Sequence, residues 1–580
     1  MLNEPISILF LNNSSEGFTA MSETACHDLA LDMICRRLTA NETEQKLIMN
    51  VMSKLTPDAA SAKVRGDVFD DIMHFPKMRG QLSSLLDRIQ FLKDYGTFKR
   101  DLDPKPGIWS LMHRMEEIKD FIDCIEAIKK CLTDTPVKSE GLIRLREYVG
   151  KIYEDAYFAE MKKDIDGLKV SASDVRSLTI GINLNGRFEA TGLGLISVND
   201  KYFRNSNVVS NFAQAISSKD GIHKGSDWNG DMHYHEASGR TAGYPGLVEG
   251  IATFQTYSSN PIIAAVSSST VANVPERDSA GSITNLVDSE VTGMLSVLVK
   301  KLRDVLSKYV TVGIYYITAL IPEFTYYVRW AEFIEKLIAK KLPFCKPEVI
   351  EDSAAGCRMK AAGLFNLKLV AGAEGVGAIV LNDLDFTDER NVYILTGANR
   401  GGKTTITQAV GLLYVLAQGG IYVPCRSFSF VPVDCVYTHF PADEDKTIDL
   451  GRLGEECTRF KQIFSGCTEK SLVLLNETFS TTSFEEGLYI ARDSVRAMLK
   501  KGARMINNTH MHKLAADIGE INAGSPRWKA ASLVAGSGAG ERSFRVTVTE
   551  PQGMSYARDI AEKYGVTYEM LTASAEKEDQ

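Results

Sequence analysis

The chain has 580 residues, 44% of them apolar and 24% charged, with a net charge of −8. That length excludes one compact core and implies about two to four domains. The composition is that of a globular protein. The negative balance excludes nucleic-acid binding by bulk charge, so any such contact needs a local basic surface.

Ten cysteines without a CxxC pair argue against structural zinc and suit reduced thiols in a cytoplasmic protein. The first residues carry an early acid and no basic run, unlike a signal peptide. The most apolar stretch, 310–321, ends at Pro322-Glu323 and is too short to cross a bilayer, so no membrane association is expected.

Residues 23–170 read mostly as helix, with apolar positions at spacings of three and four, as in Leu82, Leu85, Leu86, Ile89 and Leu92. Pro104-Lys105-Pro106-Gly107 breaks that run as a helix–helix loop. The texture then changes: residues 178–184 predict a strand, Asn185-Gly186 a tight turn, and 192–198 a second strand. Residues 217–284 are rich in Gly, Ser, Asn and Asp and read as a loop or a small irregular insertion. Within them His233 and His235 would share one face of a strand and could pair on a metal, but the composition favours a polar surface loop.

A helical pattern resumes over 285–341 through Leu295, Leu298, Leu302, Phe333 and Leu337, and Pro343 and Pro347 end it. Lys300, Lys301 and Arg303, and Lys336, Lys340 and Lys341, are interleaved with Asp304, Glu332 and Glu335 and read as solvated helix faces. From residue 364 the pattern is α/β, with strands over 391–396, 430–437, 471–475 and 504–508. Helices over 403–418, 453–464 and 485–500 separate them, which implies a largely parallel sheet.

Gly397-Ala398-Asn399-Arg400-Gly401-Gly402-Lys403-Thr404 fits G-x-x-x-x-G-K-[ST] between a β-branched strand and a helix. Glycines here let backbone N–H groups curl around phosphate oxygens, and the helix aims its positive end at the same anion. Lys403 reaches the β- and γ-phosphates and the Thr404 hydroxyl ligates Mg²⁺. Leu472-Val473-Leu474-Leu475-Asn476-Glu477 is the apolar strand expected to follow, with Asn476 where an aspartate is usual and Glu477 placed to act on the attacking water. ATP and Mg²⁺ are the expected ligands. His439 and His512 read as packing or surface residues.

The stretch from Ile394 through Pro424 resembles the P-loop and following helix of the MutS family of DNA mismatch-repair ATPases, with Asn399, Thr405 and the Ala417-Gln418-Gly419 turn at matching places. Residues 471–487 resemble that family's Walker B strand and D-loop, with Glu477, Thr482, Ser483, Glu486 and Gly487 aligned. Asn507-Asn508-Thr509-His510 is similar to the strand carrying the family's switch histidine, so the resemblance gives His510 the γ-phosphate-sensing role. It places Asn382 near the nucleotide, and Gly553-Met554-Ser555-Tyr556-Ala557 in the closing segment.

The resemblance covers about residues 378–570 and implies an ABC-type α/β P-loop NTPase domain. Ahead of it would stand a mainly α-helical core and lever region with a small β-containing insertion. The expected division is 1–176 (core and lever), 177–284 (clamp-like insertion), 285–355 (returning lever) and 356–580 (ATPase). The implied partners are DNA and a second copy of the chain, whose signature loop at Gly451, Arg452 and Gly454 would complete each ATP site in trans.

Three departures limit what carries over. Core-like helices begin near Glu23, leaving no room for mismatch-reading and connector domains, so mismatch recognition is not implied. Asn476 keeps an oxygen acceptor but loses a charge beside Mg²⁺, held through water, which points to weaker metal binding or slower hydrolysis. Gly451 stands where the signature loop carries serine. The alternative expectation is a nucleotide-gated clamp or scaffold with little hydrolysis and no DNA role.

Overall fold

The structure is a computed structural model that describes residues 6–11, 16–94, 108–172, 177–184, 186, 190–199, 296–309, 319–351, 357–371, 379–398, 401–441, 451–538, 541–551, 562 and 564–571. Its contacts divide the chain into two units: residues 1–3, 88–126 and 150–314, and residues 4–87, 127–149 and 315–580.

In chain order the N-terminal elements are β1 (Thr19–Ala20), α1 (Glu23–Asp28), α2 (Leu31–Leu38), α3 (Glu42–Met52), β2 (Lys54–Leu55), α4 (Ala59–His74), α5 (Pro76–Asp94), α6 (Ile108–Thr133), α7 (Glu140–Glu154) and α8 (Ala156–Ala172). Side-chain oxygens of Ser22, Asn41 and Asp58 accept first-turn N–H groups at the starts of α1, α3 and α4, which is why the helices begin where they do. The break at Pro104–Gly107 lies outside the described residues.

In the first unit α8 leads into a hairpin of β3 (Ser177–Leu184) and β4 (Ala190–Asn199), antiparallel as the strand–turn–strand pattern predicts. Helix α9 (Ser296–Leu306) follows, then buried Tyr309. The Tyr309 hydroxyl donates to Asp164 at 2.8 Å and its ring stands 5.4 Å from that of Tyr157. Residues 200–295, with His233 and His235, lie outside the described residues.

The second unit continues with α10 (Ile321–Ala339), β5 (Glu348–Val349), β6 (Cys357–Leu364), α11 (Leu367–Ala371), β7 (Asn382–Thr387), β8 (Val392–Gly397), α12 (Lys403–Gln418), β9 (Ser427–Phe430), β10 (Val436–His439), α13 (Gly451–Gly466) and β11 (Leu472–Asn476). It ends with α14 (Phe484–Lys501), β12 (Arg504–Asn508), α15 (His512–Ala516), α16 (Ile518–Ala523), β13 (Ala530–Gly538) and β14 (Glu541–Val548). One sheet has the order β10-β11-β12-β8-β13-β14, parallel except for β14. A second, mixed sheet has the order β5-β9-β6-β7.

Every residue of β8, β11 and β12 is buried, because helices cover both faces of the sheet. Val473 and Leu475 face a core with Val495, Met498 and Leu514, while Leu474 meets α12 at Gly411. The single strand expected over 430–437 is corrected: β9 ends at Phe430 and β10 starts at Val436, in different sheets. Pro432 has no N–H to donate, and the Val433 N–H goes to buried Gln418 Oε1 at 2.8 Å, so the ladder stops there.

N-terminal residues are built into this unit. Gln418 Nε2 donates to Thr56 O (2.9 Å) and Val433 O (2.8 Å). Fully buried Arg65 donates to Leu9 O (2.9 Å) and Gln418 O (3.2 Å) and lies over the rings of Phe10 and Phe18. The Glu323 carboxylate accepts from Ser7 Oγ and from the N–H groups of Ile8 and Leu9. Among the described residues no helix is long and apolar enough to cross a membrane.

Candidate nucleotide site

Strand β8 ends at Gly397, whose φ is +133°; a Cβ there would stand 2.6 Å from Ala535 O on β13, so the position requires glycine. Gly402, at φ +87°, turns the chain left-handed into α12. Between them the Gly401 N–H donates to Ala398 O at 3.0 Å. Asn399 and Arg400 lie outside the described residues. The loop delivers Lys403 to a buried position, where its Nζ donates to Gly397 O and Ala398 O, each at 3.2 Å. Burial pulls the Lys403 pKa below its ordinary value, and the charge of Glu477 opposes that pull.

Thr404 stands beside the end of β11. Its hydroxyl donates to Asn476 Oδ1 at 3.0 Å. Strands β11 and β12 pair in parallel so that Asn476 sits opposite Asn508, and Asn508 Nδ2 donates to the same Asn476 oxygen and lies 3.5 Å from Thr404 Oγ1. Next along the chain, Glu477 has φ +53° and Phe479 +63°, a costly left-handed backbone for residues with side chains. The Glu477 N–H donates to Asn508 O at 2.7 Å, which helps to hold that turn.

A cavity of about 680 Å³ is lined by Gly402, Lys403, Thr404, Thr405 and Glu477 together with apolar residues that include Phe365, Leu369, Ile379, Val380 and Phe544. Asn382 also lines it, but its amide is engaged by β14: Nδ2 donates to Phe544 O (3.3 Å) and Oδ1 accepts from the Val546 N–H (2.8 Å). Asn366, Phe544 and Asn508 escaped the sequence reading. Asn366 Nδ2 donates to Thr405 O at 2.8 Å, and Phe544 takes φ +52° on a strand. No local spacing marks them, because their partners are 32 or more residues away in the chain, as for Asn508 and Asn476.

The remaining candidates lie off this cavity's lining. Gly451, at φ +67°, opens α13 with open space where a Cβ would stand, and Arg452 beside it is exposed. Gly454 lies in the same first turn, its carbonyl accepting from Thr458 Oγ1 at 2.8 Å. Ser483 is the N-cap of α14, its Oγ accepting from the Glu486 N–H at 3.4 Å, while Thr482 Oγ1 donates to the Glu486 carboxylate. His510 is exposed just beyond β12, and its carbonyl accepts from the His512 N–H at 3.0 Å. His512 is half-buried; burial first, then Lys403 and His510, lower its pKa. His439 is a packing residue, buried with Nδ1 3.2 Å from Thr478 Oγ1.

A buried parallel strand, a glycine turn, a lysine folded back on that turn and an acid-tipped strand two places along the same sheet define a P-loop nucleotide-binding domain. Residues 393–579 match the family of MutS domain V. The chain is 32% identical over 205 residues to a DNA mismatch repair protein MutS of Desulforamulus reducens, covering 34% of this chain and 22% of that protein. It is 32% identical over 181 residues to a DNA mismatch repair protein MutS 2 of Halobacterium salinarum (29% and 21%), and 33% over 150 residues to a MutS of Chlorobium chlorochromatii (26% and 17%). The likeness to MutS proteins is thus shown for the C-terminal third of the chain, and the match spans 22% or less of the length of these relatives.

Proposed function

We propose that the protein is a MutS-like, ABC-type ATPase that binds ATP with Mg²⁺ and couples binding and hydrolysis to DNA binding, in repair or recombination. One observation carries the nucleotide reading: one cavity is lined both by Lys403, Thr404 and Glu477 and by a set of apolar side chains. A triphosphate suits Lys403 and the N–H groups at the start of α12, and a planar base suits the apolar lining that includes Phe544. Lys403 leaves the two carbonyls for phosphate oxygens. Glu477 orients or deprotonates the attacking water, held in place by its strained turn.

The oxygens of Thr404, Asn476 and Asn508 fit a divalent cation, because one of them, Asn508 Oδ1, is buried without a partner. Thr404 would hold the cation with Asn476 behind it, and the bound ion would neutralise phosphate charge. Two copies would close on ATP, with Gly451, Arg452 and Gly454 of each facing the other's phosphates, His510 sensing the γ-phosphate and the D-loop residues Thr482, Ser483 and Glu486 lying at the junction. Residues 1–176 and 285–355 would be core and levers, and 177–284 a clamp-like arm.

Steady-state phosphate release by the full chain tests the reading, with Glu477→Gln as control. Turnover equal to that control favours a second reading, a nucleotide-gated clamp or scaffold that hydrolyses little. The two donors already on Asn476 Oδ1 support this alternative. For the DNA role, gel shifts with duplex, branched and single-stranded DNA should show salt-sensitive binding, and its absence with and without ATP removes that role.

A further inference from the structure

Asn476 and Asn508 face each other across β11 and β12, and both are buried. Asn476 has one side-chain oxygen, with room for two donors. Both places are taken, by the Thr404 hydroxyl at 3.0 Å and by Asn508 Nδ2. Asn508 thus presents its donor, Nδ2, to an oxygen that already accepts from Thr404. Its own Oδ1 is then left with no hydrogen-bond partner, although the residue is fully buried. A buried amide oxygen left in that condition is destabilising, so its persistence needs a reason.

An aspartate at position 476 would supply two oxygens, one for Thr404 and one for the hydration shell of a cation. Asn476 supplies one, and it is filled. An unpartnered acceptor within this network is Asn508 Oδ1, on the same planar amide whose Nδ2 is 3.5 Å from Thr404 Oγ1. We propose that Asn508 is a positioning residue of the metal subsite, its Nδ2 fixing Asn476 and its Oδ1 accepting from water bound to the nucleotide's divalent cation. The network thus replaces one carboxylate by two coupled amides that hold the cation's water without negative charge. This rests on the nucleotide-site reading above.

The test measures ATP affinity of the full chain by calorimetry, in excess Mg²⁺ and in EDTA, for the wild type, Asn508→Ala and Asn508→Asp. The wild type should bind ATP more tightly with Mg²⁺. Asn508→Ala should lose about ten-fold in the Mg²⁺-dependent part, as outer partners of metal sites do, while its affinity in EDTA stays unchanged. Asn508→Asp, of the same shape, brings a charge to the cation's water but loses the Nδ2 donor to Asn476, so its Mg²⁺-to-EDTA affinity ratio should differ from wild type. Thermal melts in EDTA establish that each variant is folded, and the aspartate variant decides the matter if the alanine one is not. A Mg²⁺-to-EDTA affinity ratio equal to wild type in the folded variants overturns the proposal, as does wild-type ATP binding indifferent to Mg²⁺. Absence of ATP binding in both buffers overturns the nucleotide-site reading as well, and so is told apart from failure of the amide role alone.

Discussion

Lys403 offers the most direct test at the scale of one side chain. It is a buried cation that lines the cavity, so Lys403→Ala should weaken ATP binding about ten- to hundred-fold, as expected for losing a charge-assisted hydrogen bond. Fluorescent-nucleotide titration reads this. Glu477→Gln should keep ATP affinity and lower turnover by roughly 10²–10⁴-fold, the usual contribution of a general base. Single-turnover hydrolysis separates the two. His439 gives a pH signature of different origin: burial, aided by the Arg459 guanidinium, pushes its pKa down from 6.5 to about 4. Between those values the unfolded chain binds the proton and the folded one does not, so stability falls as pH drops from 6.5 towards 4. The loss is at most about 3 kcal/mol. Urea unfolding across that range should show it, and His439→Gln should flatten that part of the slope.

Helix α14 illustrates how one set of residues supports two readings at the scale of an element. Ser483 and Glu486 have the spacing of a capping box, and Ser483 caps the helix. Ser483→Ala should therefore cost about 1 kcal/mol in urea unfolding, whatever its effect on dimer closure. A D-loop role adds a second consequence, weaker ATP-dependent association of the Glu477→Gln protein in sedimentation. Strand β11 teaches the same lesson from the other side. Its apolar run and acidic tip are visible in the sequence as the partner of a P-loop. The opposition of Asn476 to Asn508 is not, because it depends on strand register across 32 residues.

For the second unit as a whole, the consequential contact is Gln418, at the end of the P-loop helix. It holds Thr56 O, Val433 O and the Val433 N–H, all buried from water. Gln418→Leu leaves these groups unpaired and should destabilise the protein by roughly 2–5 kcal/mol. Thermal unfolding of the variant checks this. A fragment of residues 356–580 alone should lack the cooperative transition of the full chain, since Thr56, Arg65 and Leu9 help to close the bottom of α12. A fragment that melts cooperatively at the parent temperature would refute the co-folding of these segments.

The phosphate loop, the strand behind it and the helix after it were legible from residues alone, because their chemistry is carried by adjacent positions at fixed spacing. So were the hairpin of β3 and β4 and the ends of α12, where turn residues and apolar periodicity act locally. Asn366, Phe544 and Asn508 entered the site through three-dimensional folding, as did the partnership of N-terminal residues with the P-loop helix. Those contacts join positions far apart in the chain. What sets them is strand register and the pairing of buried polar groups, neither of which leaves a periodic trace in the sequence.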